Sequence, residues 1–192
     1  NDYMVGAQLE GFEVMVKLTD SAKIAILEGD EYLSSPIDRR PKFHLYNPNI
    51  ALLTGIAWDH INVFPTFENY CEQFEIFLNK IEDKGSLVYF SSDKEIEKIV
   101  SKSDRKLDFE PYSTPSYSIE NGVTTITTPE GDYPLEIFGE HNLQNLNGAR
   151  LVCEKIGVTD KQFYEAIQSF GGASKRLETV AKNEFTHVLK DF

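Results

Sequence analysis

Two short apolar runs, each followed at once by charged residues, mark the first third of the chain. Residues 24–27 and 50–53 are aliphatic and too short for helices, so they predict buried strands of a parallel sheet. In an open sheet of this kind, ligands bind just beyond the carboxyl ends of the strands. The polar residues behind each run are therefore the first candidates for a site.

A continuous apolar stripe predicts one long helix over residues 66–81. Its aromatic and aliphatic side chains recur at three- and four-residue spacing, which is typical of a helix face packed on a core, and we assign the stripe no chemistry. Residues 86–90 then predict a strand, and Ser92 with Glu95 predicts a capping box that opens a second, short helix. Strands that alternate with helices imply right-handed crossovers and a parallel sheet.

The pattern changes in the second half of the chain. Four runs rich in β-branched and aromatic residues predict short strands at residues 106–112, 116–120, 123–128 and 133–138. Asn121-Gly122 predicts a hairpin turn between two of them. Two helices follow, one over residues 142–156 and one from Thr159, where Gln162 completes a capping box. The predicted fold class is α/β, with a mostly parallel sheet flanked by helices and a small antiparallel β patch.

Acidic residues and a histidine follow the two apolar runs. If both strands belong to one parallel sheet, these side chains emerge at the same edge; they are Glu28, Asp30, Glu31, Asp59 and His60. Two groups of carboxylates and an imidazole at a sheet edge suit Mg²⁺ and phosphate chemistry. The residues alone leave an alternative open, because acidic residues after strands also serve as turn formers and helix caps.

The composition is that of an ordinary globular protein, with 41% hydrophobic and 12% aromatic residues among 192. The net charge of −12 argues against nucleic acid or an anionic membrane surface as partners. It does not argue against ATP, because bound Mg²⁺ neutralises the phosphates locally. Cys71 and Cys153 fall at apolar positions of predicted helices, which favours buried free thiols over a disulfide. Without a membrane-length apolar run or a signal peptide, the expected location is the cytoplasm.

Four stretches of the chain read Glu28-Gly29-Asp30-Glu31-Tyr32, Trp58-Asp59-His60-Ile61-Asn62-Val63-Phe64-Pro65, Gly139-Glu140-His141-Asn142-Leu143-Gln144-Asn145 and Lys175-Arg176-Leu177-Glu178. In these residues and in their order, the chain resembles the central domain of the Mur ligases. The resemblance to this P-loop-like domain extends over nearly the whole length of the chain. More narrowly, it resembles the UDP-N-acetylmuramate–L-alanine ligases and the murein peptide ligases, and Tyr32 with Phe64-Pro65 favours the peptide ligases.

The resemblance implies part of an ATP-dependent enzyme that forms an amide bond. In that chemistry the γ-phosphoryl group of ATP passes to a carboxylate of a UDP-N-acetylmuramate-type substrate, and the amine of an amino acid or peptide then displaces the phosphate. Glu28 matches the first Glu of the family's Glu-x-Asp-Glu motif, and His60 matches the His of its Asp-His motif. The resemblance implies that both are catalytic and contact Mg²⁺. Because this hard cation prefers oxygen ligands, the role of His60 comes from the family match.

Asn142 and Asn145 match the family's His-Asn-x-x-Asn motif, which contacts the adenine of ATP. Their spacing places both amides on one face of a helix near its N-terminus, and an amide can both donate and accept hydrogen bonds, as adenine requires. Local sequence alone favours Asn142 as a helix cap instead. Arg176 matches the second position of a nucleotide-binding Arg-Arg pair, and a surface pair with Glu178 is its alternative.

Three departures from the family pattern change what we expect of this chain. The phosphate-binding Gly-x-x-Gly-Lys-Thr-Thr loop is absent, Gly55 stands where the family usually has Asn, and Lys175 replaces the first Arg of the pair. We therefore expect residues 1–185 to be a central domain without its first strand and phosphate loop, and residues 186–192 to begin a linker to a further domain. The isolated chain is then expected to be inactive. The rival interpretation is a complete, non-catalytic α/β binding or interaction module.

Overall fold

The computed structural model describes residues 1–6, 12–172, 178–183 and 185–190, which form the α/β fold that the sequence predicts. In chain order the elements are β1 (Asp2–Met4), β2 (Val16–Lys17), β3 (Ala25–Leu27), a 3₁₀ helix (Lys42–Leu45), β4 (Ile50–Leu53), α1 (Phe67–Leu78), β5 (Ser86–Phe90), α2 (Lys94–Lys102), β6 (Asp108–Tyr112), β7 (Tyr117–Glu120), β8 (Val123–Thr128), β9 (Gly131–Leu135), α3 (Glu140–Lys155), α4 (Asp160–Ile167), β10 (Glu178–Lys182) and β11 (His187–Lys190). Within these ranges, no helix combines the length and the apolarity that a membrane span needs.

Three parallel strands in the order β4-β5-β6 form the centre of the domain. Leu87 and Tyr89 of β5 share an apolar cluster with side chains of α1 and α2. Val88, which points to the opposite face, packs with Leu151 of α3. Leu87 and Val88 have no exposed surface, as expected for a parallel sheet that helices cover on both sides.

The two helices on the first face begin at side-chain caps. Thr66 Oγ1 accepts a hydrogen bond from the Asn69 N–H at 3.1 Å, which confirms the predicted start of α1. The cap predicted for α2 is wrong by one residue, because Asp93 and not Ser92 is the N-cap. Asp93 Oδ1 accepts hydrogen bonds from the N–H groups of the second and third helical residues. A carboxylate suits this position, since it satisfies free N–H groups and its charge faces the positive end of the helix.

The prediction that residues 106–112 belong to the antiparallel patch is wrong, because β6 lies in the parallel sheet. The strand pairs in parallel with β5, and Tyr112 is buried against Leu151 of α3. Lys155 Nζ of α3 lies 2.7 Å from Asp108 Oδ2 and 2.6 Å from Glu110 Oε2 of the same strand. A β-rich composition predicts a strand here but not its direction, which packing against α3 decides.

Gly148 allows α3 to lie close to the parallel sheet. A Cβ atom at this position would come within 2.8 Å of both Leu52 Cδ1 and Tyr112 Cζ. The helix starts after Gly139, which has a φ of 88°, and so begins two residues before the predicted residue 142. Gly157, with a φ of 89°, follows its C-terminus, where a glycine readily takes the left-handed conformation that ends a helix.

β7, β8 and β9 form the predicted antiparallel patch. Asn121 and Gly122 make the turn between β7 and β8 with φ values of 51° and 76°, the positive values that a tight hairpin turn needs. β9 occupies Gly131–Leu135 rather than the predicted residues 133–138. Ile126 of β8 packs in one apolar cluster with α3 and α4, and α4 opens with the predicted capping box at Thr159.

The sheet in the order β2-β1-β3 differs from the prediction in two ways: it contains β3 without β4, and β3 is exposed. β3 pairs in parallel with β1, so β3 and β4 lie in different sheets. All three residues of β3 are exposed, and Ile26 keeps 55% of its surface, although residues 24–27 predict a buried strand. Apolar residues give a segment the tendency to be buried, but burial also needs elements packed on both faces of the strand.

The last described residues form an antiparallel hairpin of β10 and β11. The expected limit of the domain at residue 185 falls between these two strands, and that limit stays a prediction. Cys71 and Cys153 are free and only partly buried, so free thiols are confirmed while their full burial is not. Burial raises the pKa of both thiols.

Candidate functional site

The segments that follow β3 and β4 meet at one cluster of titratable side chains. Glu31, Asp59 and His60 each offer one ligand atom, and these atoms lie within 4.8 Å of one another. His60 Nε2 is 3.5 Å from Glu31 Oε1 and 3.9 Å from Asp59 Oδ2. The sequence prediction that carboxylates and His60 gather behind the two runs is therefore right for these three residues, although the two strands lie in different sheets.

The backbone of His60 has an unusual conformation that a local turn maintains. Its φ is 53°, in the left-handed region that non-glycine residues seldom adopt. Asp59 Oδ1 accepts a hydrogen bond from the His60 N–H at 2.6 Å. The His60 carbonyl oxygen accepts hydrogen bonds from the Val63 and Phe64 N–H groups at 2.7 and 2.9 Å. These bonds hold the chain so that the imidazole points toward Glu31.

The loop between β4 and His60 is attached to α2 through Asp93. The second carboxylate oxygen of Asp93 accepts a hydrogen bond from the Ile56 N–H at 2.7 Å, and Ile56 is itself buried. One side chain thus caps a helix and anchors the segment that carries the site. Sequence reasoning missed this residue because it placed the cap at Ser92.

Tyr70 is a second residue that sequence reasoning missed. It belongs to the apolar stripe of α1, to which we assigned no chemistry, yet its hydroxyl lies 3.5 Å from Glu31 Oε1 as a hydrogen-bond donor. The residue is 3% exposed. Burial, and then the negative charges of Glu31 and Asp59, raise the pKa of Tyr70, so its hydroxyl keeps its proton. Only its contact with Glu31 distinguishes this tyrosine from the rest of the stripe.

Asp30 makes structural contacts and does not belong to the cluster. Its carboxylate pairs with Lys42 and accepts a hydrogen bond from the Tyr32 N–H at 2.7 Å. Burial alone would raise the pKa of Asp30, but the hydrogen bonds from Lys42 and Tyr32 lower it below its ordinary value. Asp30 therefore fulfils the alternative of a turn-forming acid, and its negative charge is already paired.

Glu28 lies outside the group of three ligand atoms found among the described residues. Its carboxylate Oε2 accepts a hydrogen bond from the Gly6 N–H just beyond β1, and its own N–H donates to the Met4 carbonyl at 2.9 Å. Glu28 and Glu31 thus follow the same strand, β3, but Glu28 faces the end of β1. The metal role predicted for Glu28 stays a prediction.

Asn142 and Asn145 lie in the first two turns of α3. Asn142 Nδ2 donates a hydrogen bond to the Phe138 carbonyl at 2.7 Å and is half-buried, whereas Asn145 is exposed. The N-cap of this helix is Gly139, so the alternative of Asn142 as the cap is wrong. The adenine role of both residues stays a prediction. Arg176 lies outside the described residues.

The residues of the cluster fit a hard divalent cation. The carboxylates of Glu31 and Asp59 offer oxygen atoms and negative charge, and the imidazole of His60 offers a nitrogen atom, which are groups that such a cation binds. The Asp59 side chain is 73% exposed, whereas those of His60 and Glu31 are 34% and 27% exposed. The cluster is thus open to solvent at Asp59, whereas Glu31 is less exposed and contacts the buried Tyr70.

Known proteins share the sequence pattern of this chain. The Mur ligase middle domain matches residues 8–153. The chain is 27% identical over 202 residues to the UDP-N-acetylmuramate–L-alanine ligase of Porphyromonas gingivalis. The matched region covers 98% of the chain and 42% of that ligase. It is 24% identical over 198 residues to the UDP-N-acetylmuramate–L-alanyl-γ-D-glutamyl-meso-2,6-diaminoheptandioate ligase of Escherichia coli. Here the matched region covers 99% of the chain and 43% of the ligase. The chain therefore spans about two fifths of the length of these relatives.

Solved structures share the fold. The UDP-N-acetylmuramate:L-alanyl-γ-D-glutamyl-meso-diaminopimelate ligase of Neisseria meningitides is similar with a TM-score of 0.75 and 19% identity, over 89% of this chain and 57% of that one. The UDP-N-acetylmuramate-alanine ligase of Thermotoga maritima is similar with a TM-score of 0.69 and 15% identity, over 100% and 44%. Alanine ligases and peptide ligases thus both resemble the chain. Since the matched residues make up more than half of it, the chain belongs to the Mur ligase family by its middle domain.

Proposed function

We propose that this chain is the ATP-binding central domain of an ATP-dependent ligase that joins a UDP-N-acetylmuramate-type carboxylate to the amine of an amino acid or peptide. The reaction belongs to the synthesis or recycling of peptidoglycan in the cytoplasm. Membership in the family supports this proposal. The single structural observation that carries it is the convergence of Glu31, Asp59 and His60 where the segments after β3 and β4 meet.

The chemistry requires positive charge at the γ-phosphate, because an anionic carboxylate attacks a polyanion. Mg²⁺, when bound, neutralises the phosphate oxygens as charge shifts toward the leaving group. In this proposal Glu28 and His60 hold the cation, and Asp59 adds negative charge beside it. The chain's own part is to keep these side chains oriented, which the turn at His60 and the anchor at Asp93 support.

The base of ATP is proposed to lie against the start of α3. The amide of Asn145 is exposed and free to meet a ligand, whereas that of Asn142 already donates to a backbone carbonyl. Asn145 is then the stronger candidate for direct contact with adenine, and Asn142 helps to shape the first turn. Arg176 is proposed to contact phosphate or ribose.

The acceptor amine is proposed to be the tripeptide L-alanyl-γ-D-glutamyl-meso-diaminopimelate, as Tyr32 and Phe64-Pro65 suggest. Phosphate release by the protein encoded by the full reading frame should require ATP, Mg²⁺, UDP-N-acetylmuramate and this peptide together. L-alanine should not replace the peptide. Phosphate release with L-alanine instead would reassign the acceptor, while no release with either amine would favour the non-catalytic module.

The same assay tests the site residues. His60→Ala and Glu28→Gln should each lower the rate by about 10²–10³-fold, the cost of losing one preorganised electrostatic contact at a phosphate. Their combined effect should be well below the product of the two, because residues of one site are not independent. Glu75→Gln, at an exposed position of α1, is the matched control. Asn145→Ala should raise the KM for ATP more than the KM for the acceptor.

A further inference from the structure

Glu31 is placed to control the orientation of His60, and we propose that it is a positioning residue which holds the imidazole so that its second nitrogen faces the ligand. This inference rests on the proposed function, in which His60 serves the cation and the phosphates. Glu31 itself then acts through His60 and does not touch the reacting atoms. Neither the sequence motifs nor the family match assigns Glu31 a part of its own.

The distances single out Glu31 from the two carboxylates beside His60. Its Oε1 is 3.5 Å from His60 Nε2, compared with 3.9 Å for Asp59 Oδ2. The Glu31 side chain is also 27% exposed against 73% for that of Asp59, so solvent weakens its charge less. The other carboxylate oxygen of Asp59, Oδ1, accepts a hydrogen bond from the His60 N–H. Asp59 thus shapes the backbone of the turn, and Glu31 faces the ring.

The core of the domain supports Glu31 from behind. The Tyr70 hydroxyl lies 3.5 Å from the same Oε1 atom, and Tyr70 is packed in α1 against Phe64 and Phe74 with ring centroids 5.3 and 5.1 Å apart. A buried ring in contact with two others has little freedom to move. The carboxylate therefore lies between a buried hydroxyl donor and the imidazole.

A second aromatic side chain limits the rotation of the His60 ring. Tyr32 meets it edge to face, with ring centroids 4.8 Å apart and an interplanar angle of 63°. The Tyr32 hydroxyl in turn accepts a hydrogen bond from Asn62 Nδ2 at 3.2 Å. Tyr32 follows Glu31 directly in sequence, so one dipeptide presents both a carboxylate and a ring to His60.

The chemical consequence concerns which nitrogen carries the proton. A carboxylate can only accept a hydrogen bond, so contact with Glu31 favours the neutral tautomer with its proton on Nε2. The lone pair then resides on Nδ1, which is the atom left to meet a cation or to accept a proton from a ligand. Carboxylates that orient a metal-binding histidine in this way typically contribute 10–100-fold to metal affinity.

The test uses the 192-residue chain without nucleotide. Long-range ¹H–¹⁵N spectra at a pH of about 8.5, where a free imidazole is neutral, report the tautomer of His60. The wild-type ring should show the Nε2–H tautomer alone, and Glu31→Ala should shift its nitrogen resonances toward the averaged values of a mobile imidazole. Glu31→Gln keeps an acceptor oxygen and should retain most of the wild-type signature. Glu75→Ala is the control and should change nothing.

Mn²⁺ binding, followed by the loss of the free-ion electron paramagnetic resonance signal, gives the second measurement. Glu31→Ala should weaken it by 10–100-fold, and Tyr70→Phe should weaken it less. A wild-type His60 signature in Glu31→Ala overturns the proposal. Equal losses of Mn²⁺ affinity in Glu31→Ala and Glu31→Gln, with the ring unchanged in both, also overturn it, because Glu31 would then be a direct ligand. Since the ring is observed without ATP, failure of ligase activity in the full reading frame is a separate result.

Discussion

The sheets β4-β5-β6 and β2-β1-β3 are each built from three short strands, and they differ sharply in burial. In the first, Leu87 and Val88 have no exposed surface. In the second, every residue of β2 and β3 is exposed, and Ile26 keeps 55% of its surface. An apolar strand thus becomes part of the core where helices pack on both of its faces, as α1, α2 and α3 do around β5.

The candidate site joins these two regions. His60 comes from the loop behind the buried strand β4, and Glu31 comes from the segment behind the exposed strand β3. Tyr70 links them, because it belongs to the core cluster of the first sheet and its hydroxyl reaches Glu31. Mutations in the two sheets should therefore have very different effects on stability, and the following predictions measure that difference.

The largest expected effect is that of Leu87→Ala. Removing a fully buried leucine side chain leaves a cavity between β5 and the two helices and should lower the free energy of unfolding by about 2–5 kcal/mol. Ile26→Ala is the matched change in the exposed sheet and should cost less than about 1 kcal/mol, in line with other exposed positions. Urea unfolding followed by circular dichroism measures both. Equal losses would show that β3 is packed as tightly as β5.

Gly148→Ala should have the next largest effect. Its new Cβ would overlap Leu52 and Tyr112 at 2.8 Å, so α3 has to shift away from the parallel sheet, at a cost of about 1–3 kcal/mol. Gly55→Ala is the control, because a Cβ there meets only Asp93 Oδ2 at an ordinary 3.7 Å. Thermal unfolding should separate the two variants. A Gly148→Ala protein as stable as wild type would mean that α3 has room to move.

Asp93→Ala should lower the free energy of unfolding by about 0.5–2 kcal/mol, the usual cost of removing a helix cap. It also leaves the buried Ile56 N–H without its acceptor, so the loop that carries His60 should exchange its amide protons faster. Asp104→Ala, an exposed acid after α2, should change neither property. Hydrogen exchange at residue 56 is the decisive measurement, and unchanged protection there would contradict the anchoring role.

The smallest expected effect is a dependence on pH through His44. This residue is buried, its Nε2 donates a hydrogen bond to the Gln73 carbonyl at 2.8 Å, and burial lowers its pKa below the ordinary 6.5. Below pH 6.5 the unfolded chain takes up a proton before the folded one does, so stability should fall as pH decreases, by less than about 1 kcal/mol at pH 6. Stability from this residue is complete above pH 6.5.

The pH effect can be assigned by substitution. His44→Gln keeps an N–H donor but cannot ionise, so its urea midpoint should change less between pH 8 and about 6 than that of the wild type. His141→Gln, at an exposed position, should keep the wild-type slope. An unchanged slope in His44→Gln would show that other groups cause the dependence.

Elements whose signals are local could be predicted from the sequence. The stripe of α1, the capping box at Thr159, the run of β5 and the turn at Asn121-Gly122 are found where they are predicted. These signals depend on neighbours within a few residues, since helical periodicity, capping and turn conformation are properties of a short segment. The four motifs likewise identify the family because their residues and order are read directly from the chain.

Burial, strand direction and the partners of the site residues depend on contacts between distant parts of the chain. The sequence predicts that residues 24–27 are buried and that residues 106–112 lie in the antiparallel patch, and both predictions are wrong because distant helices determine what covers a strand and where it pairs. Tyr70 looks like any other member of an apolar stripe until α1 is packed beside Glu31. Contacts between residues far apart in sequence leave no local pattern, so the roles of Tyr70 and Asp93, and the contact of Glu31 with His60, are visible only in the folded chain.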